Sequence, residues 1–133
     1  MAEKHRHPKA VLSPETRRDL REIPKCSETK FGRKAALRYE ALLVQSLRDI
    51  EADPERPGSQ ERRELFAEGV IVYHLRFSRD RAGITRGIVQ NPRHFLVYRR
   101  RDQKVIDILR ILHDGRDLQR HLPEEYRRKD PDD

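Results

Sequence analysis

Two periodicities follow one another along this chain. From Ala35 to Ile50 the apolar residues Ala35, Ala36, Tyr39, Leu42, Leu43, Leu47 and Ile50 recur three and four positions apart, with Arg33, Lys34, Arg38, Glu40, Arg48 and Asp49 filling much of the opposite side. That spacing gathers the apolar set on one face of an α-helix. After Gly69 the period drops to two. Val70 to Phe77, His94 to Arg100 and Val105 to His113 are rich in β-branched, aromatic and other apolar residues and read as strands. Short connections between strands favour antiparallel neighbours. The expected fold class is α+β: an N-terminal helical hairpin packed on a twisted antiparallel sheet of three to four strands.

Local signals set the boundaries. Ala10-Val11-Leu12 is expected to be a first strand. Ser13 and Pro14 start the first helix, the hydroxyl as cap and the proline where its missing N–H is not needed. Leu20 and Ile23 share a face of that helix. Pro24 is expected to bend or end it, since an internal proline costs about 3 kcal/mol, with an irregular or resumed turn to Phe31-Gly32. The second helix must stop by Asp53-Pro54, because the residue before proline avoids the α region. Pro54 to Gly58 reads as a loop, and Gln60 to Gly69 as holding a short helical turn. Ser78 to Pro92 reads as a polar connection with Ile84 and Ile88 packing back. Arg101 to Lys104 is a turn, Val105 to His113 the central strand, and Asp114-Gly115 its end. A last turn spans Asp117 to Leu122. Residues 10–123 form one expected domain, between a disordered basic tail (1–9) and a frayed charged tail (124–133).

Composition narrows the partners. Thirty Lys and Arg against twenty-three Asp and Glu give a net charge of +7 and a pI near 9.9. Such a surface attracts polyanions: nucleic acid, ribosome, anionic membrane or an acidic protein. The single cysteine, Cys26, excludes an internal disulfide framework. Met1 to Lys9 lacks the apolar stretch of a signal peptide, and no run of about 18 apolar residues is available to span a membrane. A cytoplasmic location is expected, with no membrane partner. No glycine-rich phosphate loop and no zinc-spaced Cys/His set occurs, so no cofactor and no metal are expected. His5 and His7 alone do not make a metal site, and Cys26 beside Lys25 has no base assigned to it.

The informative stretch runs from Tyr98-Arg99 through Val105 to Pro123. Strand alternation puts Ile106, Ile108, Arg110 and Leu112 on one face, and Asp107, Leu109, Ile111 and His113 on the other. An arginine among apolar residues is costly unless it is paired. Arg110 therefore either joins a carboxylate (Asp107, Asp117 or a helix glutamate) or opens into a groove that receives an anion. His113, at the strand's end, is either a packing residue or a base. Tyr73, Phe95 and Tyr98 lie near Arg76, Arg99 and Arg100. Aromatics interleaved with arginines suit nucleic acid, and they suit ordinary sheet packing as well.

The segments Ser13-Pro14-Glu15, Asp19-Leu20, Ile23, Gly32 and Ala35-Ala36…Tyr39 resemble the opening of RelE/ParE-family toxins. Tyr98-Arg99, Ile108-Leu109-Arg110-Ile111-Leu112-His113, Asp117-Leu118 and Arg120-His121-Leu122 are similar to the C-terminal half of ParE-type toxins. The resemblance spans roughly Ala10 to Pro123. It implies the toxin of a type II toxin–antitoxin system, neutralised by a cognate antitoxin with an acidic binding arm. The implied target is DNA gyrase, inhibited without hydrolytic chemistry. The alternatives are a RelE-type, ribosome-dependent mRNA endonuclease working through Tyr98, Arg99, Arg110 and His113, or an inactive member that only binds antitoxin. Antitoxin or target is expected at Tyr39, Leu43, Leu47, Arg76, Arg99, Arg110, His113, Asp117 and Arg120. The helix around Tyr39, Leu43 and Leu47 would form a groove wall, and Arg99, Arg110 and Arg120 would meet carboxylates. Pro24, Cys26 and the long 78–92 connection depart from the usual ParE pattern.

Overall fold

The structure, a computed structural model, describes residues 8–115 and 118–128. Asp117 and the side chain of Ile84, both singled out above, lie outside the described part. The chain runs β1 (Lys9–Leu12), α1 (Pro14–Phe31), α2 (Arg33–Ala52), β2 (Ser59–Glu61), β3 (Val70–His74), α3 (Arg79–Arg86), β4 (His94–Arg100) and β5 (Val105–His113), with short 3-10 turns at Leu75–Ser78, Leu118–His121 and Glu124–Tyr126. The α+β arrangement expected from the sequence is present, with a larger sheet. Five strands lie in the order β1-β5-β4-β3-β2. β1 pairs parallel with β5, and every other pair is antiparallel. β4 therefore holds the centre of the sheet, the place expected for β5.

Ser13 begins α1 as its sequence suggests: its hydroxyl accepts the Thr16 N–H at 3.0 Å. The same hydroxyl donates to the Leu109 carbonyl at 2.9 Å, and Thr16 Oγ1 donates to the Ile108 carbonyl at 2.9 Å. The helix is thus stitched to β5 where β1 stops. Pro24 does not end the helix. α1 continues for 18 residues with Pro24 buried inside it. Leu20 and Pro24 lie across a shallow groove from Ala36, Leu37 and Leu43 of α2, and packing along this seam offsets the bond that proline removes. The turn into α2 is made by Gly32 at φ +93°, a backbone region that side chains disfavour.

Of the face its periodicity announced, α2 buries Ala36, Tyr39, Leu42, Leu43 and Ile50; Ser46 and Asp49 are buried with them, although the spacing put Asp49 on the polar side. The helical hairpin packs on one side of the sheet against Tyr73, Leu96, Tyr98, Ile106, Ile108 and Ile111. On the other side a second cluster joins Phe66, Val70, Val72, Val97, Leu109, Leu112, Leu118 and Leu122. Residues 124–126, placed in the tail by the sequence reading, form a turn, and Tyr126 packs on this second cluster. Arg127 bridges Phe66.

Three local features differ from expectation. The stretch from Gln60 to Gly69 holds the expected short turn, with the Leu65 and Phe66 N–H groups on the Arg62 carbonyl, but it begins with β2, paired antiparallel to β3. The strand from Val70 ends at His74, and α3 occupies part of the supposed connection. Finally, β4 and β5 shift register between Val97 and Tyr98: Tyr98 pairs with Ile108, Val97 with Arg110. Leu109 is the extra residue of a β-bulge, which reverses the alternation beyond it. Ile106, Ile108 and Ile111 therefore share the helix-side core, while Leu109 and Leu112 share the opposite one.

Candidate functional site

The bulge is anchored from α1. Asp19 Oδ2 accepts the Ile111 N–H at 2.9 Å, beyond the reach of β1. The same carboxylate receives the Arg110 guanidinium at two points, Nε to Oδ2 at 2.9 Å and Nη2 to Oδ1 at 3.0 Å. Arg110 Nη1 donates to the His121 carbonyl at 3.0 Å. Of the alternatives for Arg110, a carboxylate partner is the one observed, although it comes from a helix aspartate.

Arg110 also lines an open cleft of about 710 Å³ between the hairpin and the ends of β4 and β5. α1 contributes Asp19, Glu22, Ile23, Cys26, Lys30 and Phe31; α2 contributes Ala35, Arg38 and Tyr39; the 88–94 segment contributes Ile88, Arg93 and His94; His113 and His121 complete the far side. Lys30, Arg38, Arg93 and Arg110 face only two carboxylates, Asp19 and Glu22, so the lining carries more positive than negative charge. Phe31 and Ile88 are 75% and 47% exposed, unusually open for large apolar residues.

The inner end of the cleft is a hydrogen-bonded ring cluster. Tyr39 Oη lies 2.6 Å from His94 Nδ1 and accepts the Arg93 N–H at 3.0 Å. Burial pushes the Tyr39 phenol up to about 12, so it keeps its proton at neutral pH. His94 and His113 are directly paired across β4 and β5, with their rings edge-on at 5.3 Å. His113 Nδ1 accepts the Gly115 N–H at 3.0 Å. Behind them, Asp114 Oδ2 lies 3.0 Å from His74 Nε2 and Oδ1 lies 2.9 Å from Arg93 Nη2. Burial alone would raise the Asp114 carboxyl, but the His74 hydrogen bond and the charges of Arg93 and the histidines outweigh it and hold it below the ordinary range.

The expected site residues divide. Tyr39, Arg110 and His113 meet in the cleft. Leu43 is fully buried and Leu47 packs against the core beneath the hairpin, and neither lines the cleft. Arg76 stacks on Phe77 at 4.7 Å and Arg99 over Tyr126 at 4.9 Å, each outside the cleft lining. Arg120 is exposed, and its carbonyl accepts from Arg127. Asp117 lies outside the described residues. Tyr98 is fully buried and donates to the Pro54 carbonyl at 2.6 Å, with its phenol raised far up by burial. The set Tyr98, Arg99, Arg110 and His113 is therefore not assembled around one point.

The sequence reading gave no site role to His94, Arg93, Lys30 or Phe31, and it named Asp19 only within the segment that resembles the family. Counting back from a four-residue turn at 101–104 pairs Arg100 with Val105, and hence His94 with Ile111. The observed pairs, Arg100 with Ile106 and then one further step at the bulge, bring His113 opposite His94 instead.

Among the described residues no helix is long and apolar enough to cross a membrane, and no group of three His, Cys, Asp or Glu side chains is arranged to hold a metal ion. The family model of the ParE toxin of type II toxin–antitoxin system, parDE, matches residues 10–118. No curated protein matches the chain.

Proposed function

This chain belongs to the family of ParE toxins of type II toxin–antitoxin systems, and from that premise we propose that it arrests growth by inhibiting DNA gyrase and is silenced by an acidic antitoxin segment laid in the cleft. The observation that carries the antitoxin half of the reading is the cleft lining: open apolar groups at Phe31 and Ile88 beside Lys30, Arg38 and Arg93. Interface affinity comes mainly from apolar anchors, while complementary charge sets the encounter rate and the orientation. An antitoxin arm with aliphatic or aromatic anchors and carboxylates between them matches both. Gyrase is the target implied by the family, and the cytoplasm, where gyrase works, is the proposed place of action.

The test has two parts. Purified chain is added in excess to gyrase and relaxed plasmid, and loss of supercoiling is expected, restored by adding antitoxin. Intact supercoiling removes gyrase as the target. Calorimetric titration of the antitoxin into Phe31→Ser and Lys30→Glu variants is expected to show weakened binding. Unchanged affinity in both variants moves the antitoxin elsewhere on the surface.

A further inference from the structure

We propose that the outer face of the hairpin is a self-association surface, on which a second copy of this chain lays its α2 antiparallel across a two-fold axis at Val44. This goes beyond the antitoxin and gyrase readings and does not depend on either.

α2 is used on three sides. Its inner side packs on the sheet, and one flank, at Ala35, Arg38 and Tyr39, lines the cleft. The side turned away from the sheet carries a ridge at Leu37, Glu40 and Val44, shared by two shallow grooves. α1 closes one groove with Leu20 and Pro24, and α3 closes the other with Arg81 and Ala82. No residue of the ridge lines the cleft. Val44 is 40% exposed, and Leu37 and Ala41 are half-buried beside it. An apolar ridge with a groove on either side is a shape that another helix packs against.

The charges select the partner. Glu40, Val44 and Arg48 stand four residues apart and form one line along the helix surface, acid at one end and base at the other. Both charged side chains are exposed, and the ion pairs that hold α2 to its neighbours use Asp49, not Glu40 or Arg48. Such a line is complementary to its own reverse. Turned end for end about Val44, a second copy sets its Arg48 opposite Glu40 and its Glu40 opposite Arg48, each about 6 Å of helix rise from the axis. Ala41, with its small side chain, lets the two helices approach closely. A parallel copy would instead bring like charges together and align the two helix dipoles. Exposed ion pairs add little affinity by themselves. Here they fix the register, while Val44 and Leu37 supply the apolar contact. The ridge and the cleft share no residue, so pairing leaves one open cleft on each copy.

The experiment is sedimentation equilibrium of the purified full chain over a micromolar to millimolar concentration series. The mass is expected to rise from that of one chain towards twice that value. Val44→Glu should weaken association about 10-fold or more. Glu40→Arg and Arg48→Glu each set like charges opposite one another and should do the same. The double variant Glu40→Arg/Arg48→Glu regains opposite charges at both ends, and its association should return to within about 3-fold of wild type. All three positions are exposed, and thermal melts verify that the variants are folded. The proposal is overturned by a wild-type chain that stays monomeric throughout, by a Val44→Glu variant that pairs as well as wild type, or by a double variant no better than the single ones. If the chain stays monomeric and Val44→Glu weakens antitoxin binding in a calorimetric titration, the face belongs to the antitoxin and not to a second copy.

Discussion

Replacing Arg110 with alanine is expected to destabilise the fold by about 2–3 kcal/mol, a value set by the partial burial of its ion pair. The arginine side chain is 24% exposed and that of Asp19 10%. An exposed pair contributes about 0–1 kcal/mol, and breaking a fully buried one costs about 3–5. Here two guanidinium contacts to the carboxylate and one to the His121 carbonyl disappear together. Asp19 keeps only its bond from the Ile111 N–H. Its charge stays largely enclosed and loses most of its compensation, which places the cost between the two limits. For a domain of this length the loss corresponds to a fall in Tm of roughly 10 °C. Urea unfolding of wild type, Arg110→Ala, Asp19→Asn and the double variant is the assay. The double variant should be less destabilised than the sum of the singles, by about 1 kcal/mol or more. A loss under about 0.5 kcal/mol for Arg110→Ala, or strict additivity, would refute the claim that this pair pins the β5 bulge to α1.

Further outcomes follow from the same contacts. Asp49 is 2% exposed and is held by Ser78 Oγ, Gln45 Nε2, Arg56 and Arg81; Asp49→Ala should cost about 1–3 kcal/mol in chemical denaturation, because the buried Ser78 hydroxyl loses its acceptor while Arg81, 62% exposed, turns to water. Gly69 at φ +89° has open space around it, whereas a Cβ at Gly58, φ +102°, would sit 2.6 Å from the Phe77 ring; Gly69→Ala should cost about 1–2 kcal/mol and Gly58→Ala measurably more. The Asp114 carboxyl is depressed in the folded state, so its stabilisation is present above about pH 4 and is lost as the pH falls through the lower folded value. Asp114→Asn should therefore flatten the acid limb of the stability profile measured by urea midpoints between pH 2 and pH 6.

The parts of the fold legible in the sequence are those fixed by local periodicity. The α2 stripe from Ala36 to Ile50, the Ser13-Pro14 start of α1, and strands β4 and β5 follow from residue spacing alone. What the sequence hid depends on distant partners. The parallel pairing of β1 with β5 and the three-residue β2 are defined by the strands they meet. Pro24 stays helical because α2 packs beside it, a tertiary effect stronger than the local preference. The same holds for the site. Tyr39 was visible in the apolar stripe of α2, Arg110 as a charge among apolar residues and His113 at the end of its strand, but His94 comes opposite His113 only through the looser turn and the Leu109 bulge. Asp19, named in the sequence only within the segment that resembles the family, takes its role from α1 lying along β5, where it meets the Ile111 N–H and Arg110.

The proposed inhibition of gyrase by this chain can be followed inside a bacterial cell. The gene is induced without any antitoxin, and the topology of a reporter plasmid is followed on chloroquine gels alongside viable counts. With gyrase as the target, the plasmid should relax before viability falls, and co-expressed antitoxin should restore both. A plasmid that stays fully supercoiled while folded protein accumulates to high level would contradict it.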